Sequence, residues 1–161
     1  MSEKTLLEEV VMLLEIAAVL TLLAPVPAAG GAAGSYPAQV LQLTNVQRVQ
    51  NGCGPLAAST QLADAADAHT SEMARYRYFS HTGRAGEDPS ARISAAGYRW
   101  QRWAENIAAG QRTPEAVVDA WMHSPVHKAN ILDCRLTELG VGYTVDSARK
   151  AYWTQDFGTP R

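Results

Sequence analysis

The chain has 161 residues, 47% hydrophobic and 19% charged, with 14 Lys and Arg against 16 Asp and Glu for a formal charge of −2. That length and apolar share suffice for a buried core and exclude a largely disordered chain; the charge balance excludes a broad nucleic-acid footprint. The imbalance lies at the front: residues 1–39 hold Lys4 against Glu3, Glu8, Glu9 and Glu15, while residues 40–161 hold 13 basic and 12 acidic side chains.

Val10 to Val26 is apolar except for Glu15 and Thr21, and a run of small residues follows from Pro27 to Gly34. An apolar run ahead of small residues has the shape of an export signal, so residues 1–29 read as an atypical signal peptide, atypical because the flank is acidic. The competing reading is an N-terminal apolar helix with a polar stripe of Lys4, Glu8 and Glu15. A membrane-spanning helix fits least, because Glu15 interrupts the roughly 20 apolar residues it needs. Residues 30–39 read as a flexible linker, and residues 40–161 as the folded body.

Within the body, Val40, Leu43, Val46 (or Gln47) and Val49 approximate a helical stripe that stops at Asn51-Gly52. Leu62, Ala66, His69, Met73 and Tyr76 recur at steps of four and three and predict a helix with one buried face. His69 on that face is expected to be a hydrogen-bonded core histidine. Asp88-Pro89 caps a short helix through Ala96, closed by Gly97; Thr113-Pro114 caps a longer one that presents Val117, Val118, Trp121 and Met122. Ser124-Pro125 opens another short helix, which carries His127. The tail then changes period. Leu139, Val141, Tyr143 and Val145 alternate as a strand, Asp146 to Arg149 turns, and Tyr152 to Phe157 returns as its partner. Trp100 to Ala108 is a further strand candidate. Helices followed by strands on short connections predict an α+β domain with an antiparallel sheet.

Cys53 and Cys134 are the two cysteines, and neither lies in a CxxC or Cys/His cluster that would indicate structural zinc. Two buried free thiols suit a cytosolic chain, whereas an exported chain would join them as one disulfide. Among the four histidines, His81 follows Tyr78-Phe79-Ser80 and precedes Thr82-Gly83, a loop position past a helix end. Glu105 stands in the apolar stretch Trp103-Ala104-Glu105-Asn106-Ile107, where a buried carboxylate must be paired, ligated or protonated. His81, Glu105 and His127 therefore form the candidate cluster, two imidazoles and a carboxylate from separate segments. Ser124 is better explained as a helix cap than as a nucleophile paired with His127.

Several motifs occur in order: Asn45-x-x-Arg48, Phe79-Ser80-His81, Gly97-Tyr98, Glu105-Asn106-Ile107-Ala108, Ser124-Pro125-x-His127-x-x-Asn130-Ile131-Leu132, Glu138-x-Gly140-Val141-Gly142 and Trp153-Thr154-Gln155-x-Phe157-Gly158. Together they resemble the CAP superfamily of cysteine-rich secretory proteins, antigen five and pathogenesis-related protein one, and in particular its short bacterial SCP branch. The resemblance covers about residues 40–159. It implies a three-layer α-β-α sandwich with a central antiparallel sheet and a cleft in which His81, Glu105 and His127 occupy the positions of two histidines and a glutamate. A second acidic residue found in eukaryotic members is Ser124 here. Glu138, at the start of its strand, is expected to be structural.

These readings give an expected secreted or extracellular monomer, possible envelope association included. A divalent metal such as zinc would be held by His81, His127 and Glu105, supporting hydrolysis; no organic cofactor and no nucleic-acid partner are expected. The alternative is a non-enzymatic module that binds a lipid, sterol, cell-wall component or protein. Trp121 and Trp153 are expected in the core rather than along a binding groove.

Overall fold

A computed structural model describes residues 34–161, so the expected signal and residues 30–33 of the expected linker lie outside the described residues. Helix α1 spans Tyr36–Gln50, β1 Ala57–Ala58, α2 Thr60–Tyr76, α3 Pro89–Ala95 and β2 Trp100–Ala109. Helices α4 (Pro114–His123) and α5 (Pro125–Ile131) follow, and the chain ends in β3 (Glu138–Val145) and β4 (Ala151–Pro160).

The strands form one sheet in the order β1-β3-β4-β2. The three long strands are antiparallel, as expected. The two-residue β1, unforeseen in the sequence, pairs in parallel with Glu138 and Leu139 at the edge, so the whole sheet is mixed. Alternation sends Ala151, Trp153, Gln155 and Phe157 of β4 toward one helical layer and Tyr152, Thr154 and Asp156 toward the other. The first layer, α1, α4 and α5, packs Val40, Val117, Val118, Trp121 and Ile131 against Leu139, Val141, Trp153 and Phe157. Trp121 and Trp153 are both buried. The second layer, α2 with α3, packs Leu62, Ala65 and Ile93 against Tyr98, and Met73 against Ile107 and Tyr152. The result is an α-β-α sandwich.

Helix α2 sits close to the sheet because β3 offers glycines beneath it. A Cβ at Gly140 would collide with the backbone of Leu62 and Ala63, and one at Gly142 with the Ala66 carbonyl and the Thr70 hydroxyl. The expected caps of α3 and α4 form: the Asp88 carboxylate accepts from the Ala91 N–H at 2.8 Å and the Thr113 hydroxyl from Ala116 at 3.2 Å. Ser124 occupies the cap position of α5 but makes no side-chain cap bond; its carbonyl accepts from Lys128 at 2.8 Å. Pro125 supplies the helical φ there, so the turn starts without the hydroxyl.

Helix α1 departs from the expectation in two ways. It begins at Tyr36, inside the expected linker, because Pro37 fits the first turn and the Ser35 carbonyl accepts from Gln39. Its buried face is Val40, Thr44 and Arg48, while Val46 and Val49 are exposed. The charge of Arg48 can be buried because four carbonyls receive it: Gly54 at 2.9 Å, Ile131 at 2.8 Å, Asp133 at 3.0 Å and Leu136 at 2.9 Å. The same two loops are joined covalently by the Cys53–Cys134 disulfide.

Candidate functional site

The site grows from the end of α2. Arg77 takes a left-handed conformation (φ 53°) and ends the helix, releasing the loop that carries His81. Two contacts fold that loop back. The Tyr78 hydroxyl donates to Glu72, and the buried His69 ring bonds the Ser80 carbonyl at 2.9 Å. A carbonyl only accepts, so His69 carries its proton on Nε2 and leaves Nδ1 as a lone pair. Burial, foremost, pulls His69 below the ordinary histidine value, consistent with a neutral ring; Glu105 opposes that shift. His69 is thus the core histidine expected, and its bond also positions the residue preceding His81.

Glu105 lies on β2, the strand at the opposite edge of the sheet from β1, and its side chain is 1% exposed. One oxygen accepts from the His81 Nδ1–H at 2.6 Å, and the other accepts from Arg92 Nη2 of α3 at 2.6 Å. Arg92 also donates to the Glu87 carbonyl at 3.1 Å. Directly across the strand pair from Glu105 stands Asp156, fully buried. Burial first, and the Glu105 charge second, push the Asp156 carboxyl well above the usual carboxylate range. One guanidinium thus stands beside two buried acids, and the raised proton affinity of Asp156 limits the buried net charge.

Alternation along β2 sends Asn106 to the opposite face, where it builds the second half of the site. Its amide donates to the His127 carbonyl and to Gln155 Oε1, both at 3.2 Å. Asn130 of α5 donates to Asn106 Oδ1 at 2.8 Å and to the Glu105 carbonyl at 3.2 Å. Gln155 donates onward to the Thr44 hydroxyl at 2.8 Å. This amide chain fixes α5, and with it the half-buried His127, against the edge strand. Burial and then the facing charge of His81 lower the proton affinity of His127.

The structure therefore brings His81 and Glu105 into direct contact and sets His127 close enough to feel His81. His123 is an exposed surface residue beside Asp119. Among the described residues, no three His, Cys, Asp or Glu side chains converge in an arrangement that would hold a metal ion. Both oxygens of Glu105 are engaged, so the residues fit a two-imidazole site better than a three-ligand one. His81 Nδ1–H on a carboxylate leaves Nε2 free, the usual arrangement of a carboxylate behind a ligating histidine. Arg92 and Asp156 were missed in the sequence. Asp156 carried a usable signal, an acid within an otherwise buried strand like Glu105; Arg92, on a short polar helix, carried none.

The family model described as the cysteine-rich secretory protein family, CAP, matches residues 41–157. Two Bacillus subtilis proteins are similar: the uncharacterized protein YkwD, 39% identical over 76% of this chain and 47% of its own length, and the uncharacterized membrane protein YlbC, 34% identical over 74% and 33%. The chain thus spans less than half the length of these relatives. Among solved structures, an extracellular protein containing an SCP domain from Bacillus anthracis superposes with a TM-score of 0.70 at 32% identity, over 76% of this chain and 40% of that one. An outer surface protein of Borrelia burgdorferi shares the fold, with a TM-score of 0.70 at 20% identity over 76% and 90%.

Proposed function

Because the chain belongs to the cysteine-rich secretory protein (CAP) family, we propose that it is an extracellular, monomeric bacterial-type module whose cleft holds a divalent cation between His81 and His127 and supports hydrolysis. The observation that carries this reading is the 2.6 Å bond from His81 Nδ1–H to Glu105, which fixes the tautomer and turns the Nε2 lone pair away from the carboxylate. A cation bound there supplies Lewis acidity to a carbonyl or phosphoryl group. Arg92 holds one oxygen of Glu105 and keeps the carboxylate aimed, Asn106 and Asn130 hold the backbone of α5, and His81 remains half-exposed to a ligand. The disulfide supports an oxidising location, and the extracellular relative of known structure supports the same placement. Among the described residues no helix is long and apolar enough to cross a membrane.

Calorimetric titration of zinc into the full chain tests the proposal. The wild type is expected to bind, with affinity falling on acidification as protons compete for the imidazoles. His81→Ala and His127→Ala each remove a ligand and should abolish measurable binding. Glu105→Gln should weaken it by roughly 10–100-fold through loss of His81 orientation. Equal heats in the wild type and both histidine variants, with circular dichroism unchanged, remove the cation from the function.

A second reading, a binding module without turnover, draws on a cleft of about 670 Å³ between α2 and α3, walled by Ala65, Ala68, Ala91 and Ala95 and bordered by His69 and Arg92. Retained ligand binding without zinc would favour it.

A further inference from the structure

At the end of the sheet where β2 begins, two grooves of about 470 and 600 Å³ meet at Trp100, which lines both. One is bordered by Tyr98, Arg99 and Arg161, the other by Arg102, Trp103 and Arg135. We propose that this pair of grooves is a binding site for an acidic polysaccharide, a pyranose chain carrying carboxylates, laid across the Trp100–Trp103 pair.

The two indoles are half-buried and stand edge to face, with centroids 6.4 Å apart. Trp100 is held by its Nε1–H, which donates to the Ser94 hydroxyl at 3.0 Å, so its ring is fixed before any ligand arrives. Large, rigid, partly wet aromatic faces are suited to the apolar faces of sugar rings, and ordering them in advance reduces the entropy lost on binding.

Charge selects the ligand. Four arginines border the grooves, and Asp133 is the carboxylate paired among them, bonded to Arg135 at 2.8 Å and lying 3.5 Å from Arg102. Arg161 directs Nε–H to the Trp100 carbonyl at 2.9 Å, and Arg99 and Arg161 form no ion pair among the described residues. The patch therefore keeps a net positive charge on a chain that is negative overall. Guanidinium groups match carboxylates in paired hydrogen bonds. The continuity of two grooves through one tryptophan favours a polymer over a single small ion. The Cys53–Cys134 disulfide belongs to an oxidising compartment, where a polymer with both ring faces and repeated anions is a glycan rather than a nucleic acid. None of these residues belongs to the His81–Glu105–His127 cleft, so the two proposals stand or fall separately.

The test measures binding of the full chain to polygalacturonate, with dextran as a neutral polymer and single-stranded poly(dT) as a non-glycan polyanion. Binding to polygalacturonate is expected, weakening as salt is raised, with none to dextran and at least tenfold weaker binding to poly(dT). The exposed pair Arg135→Gln and Arg161→Gln should lower the affinity by roughly tenfold. Trp103→Ala should lose as much, whereas Trp103→Phe, which keeps an aromatic face, should restore most of it. His81→Ala should bind like the wild type. No binding at low salt, poly(dT) binding as tight as polygalacturonate, or Trp103→Ala and the arginine pair both matching the wild type would each overturn the proposal. Thermal unfolding of every variant separates a lost contact from a lost fold.

Discussion

Glu105 and Asp156 are register partners on β2 and β4, two buried acids facing the same helical layer across one strand pair. Arg92 and His81 take both oxygens of Glu105, while neither oxygen of Asp156 has a conventional donor. Burial and the facing Glu105 charge therefore favour the protonated form of Asp156.

Asp156 should therefore make stability fall with pH. Its folded proton affinity is raised, so its contribution is complete below the unfolded value of about 3.9 and is lost as the pH rises through the higher folded value. Asp156→Asn keeps a neutral donor of the same shape. The variant is expected to be more stable than the wild type at neutral pH, with the gap closing toward pH 4. Urea midpoints across pH 4–8 measure this; a gap independent of pH would contradict a raised Asp156.

Arg92→Met leaves the Glu105 charge buried beside Asp156 and should destabilise the fold by about 3–5 kcal/mol. The double variant Arg92→Met with Glu105→Gln removes the stranded charge and should recover part of that loss. Strictly additive free energies in denaturant melts would show that the two side chains act independently.

The disulfide closes a sequence separation of 81 residues, for which chain entropy gives about 4–5 kcal/mol of stabilisation. Changing both Cys53 and Cys134 to Ala should lower the denaturation free energy toward that amount. Alkylation of the oxidised protein under non-reducing conditions should add no mass, and two added groups would disprove the bond.

Gly140→Ala should cost about 3 kcal/mol, because the new methyl meets the backbone of Leu62 and Ala63 rather than a side chain able to turn away. Gly54→Ala has open space at the same atom and should change stability by less than about 0.5 kcal/mol. Similar melting of both variants would mean that α2 yields easily from the sheet.

Local chemistry was legible in the sequence wherever the cause lies within a few residues. The caps at Asp88 and Thr113, the helical stripe from Leu62 to Met73 and the Asp146 hairpin formed as their spacing requires, although Tyr76, the expected last member of that stripe, is exposed at the helix end. His81 and Glu105 were visible for the same reason: a histidine in a glycine-containing loop and an acid in an apolar strand are anomalous by their immediate surroundings. The tertiary structure alone decided which distant groups answer a buried charge. The helical period of α1 pointed to Val46 and Val49, yet Arg48 turns inward because carbonyls 83 to 88 residues away receive its guanidinium. Arg92 reaches Glu105, and Asp156 shares its face, because folding sets α3 and β4 on either side of one carboxylate. A buried charge is tolerated only where its partners converge in space, and sequence spacing fixes the period of a segment but not what packs against it.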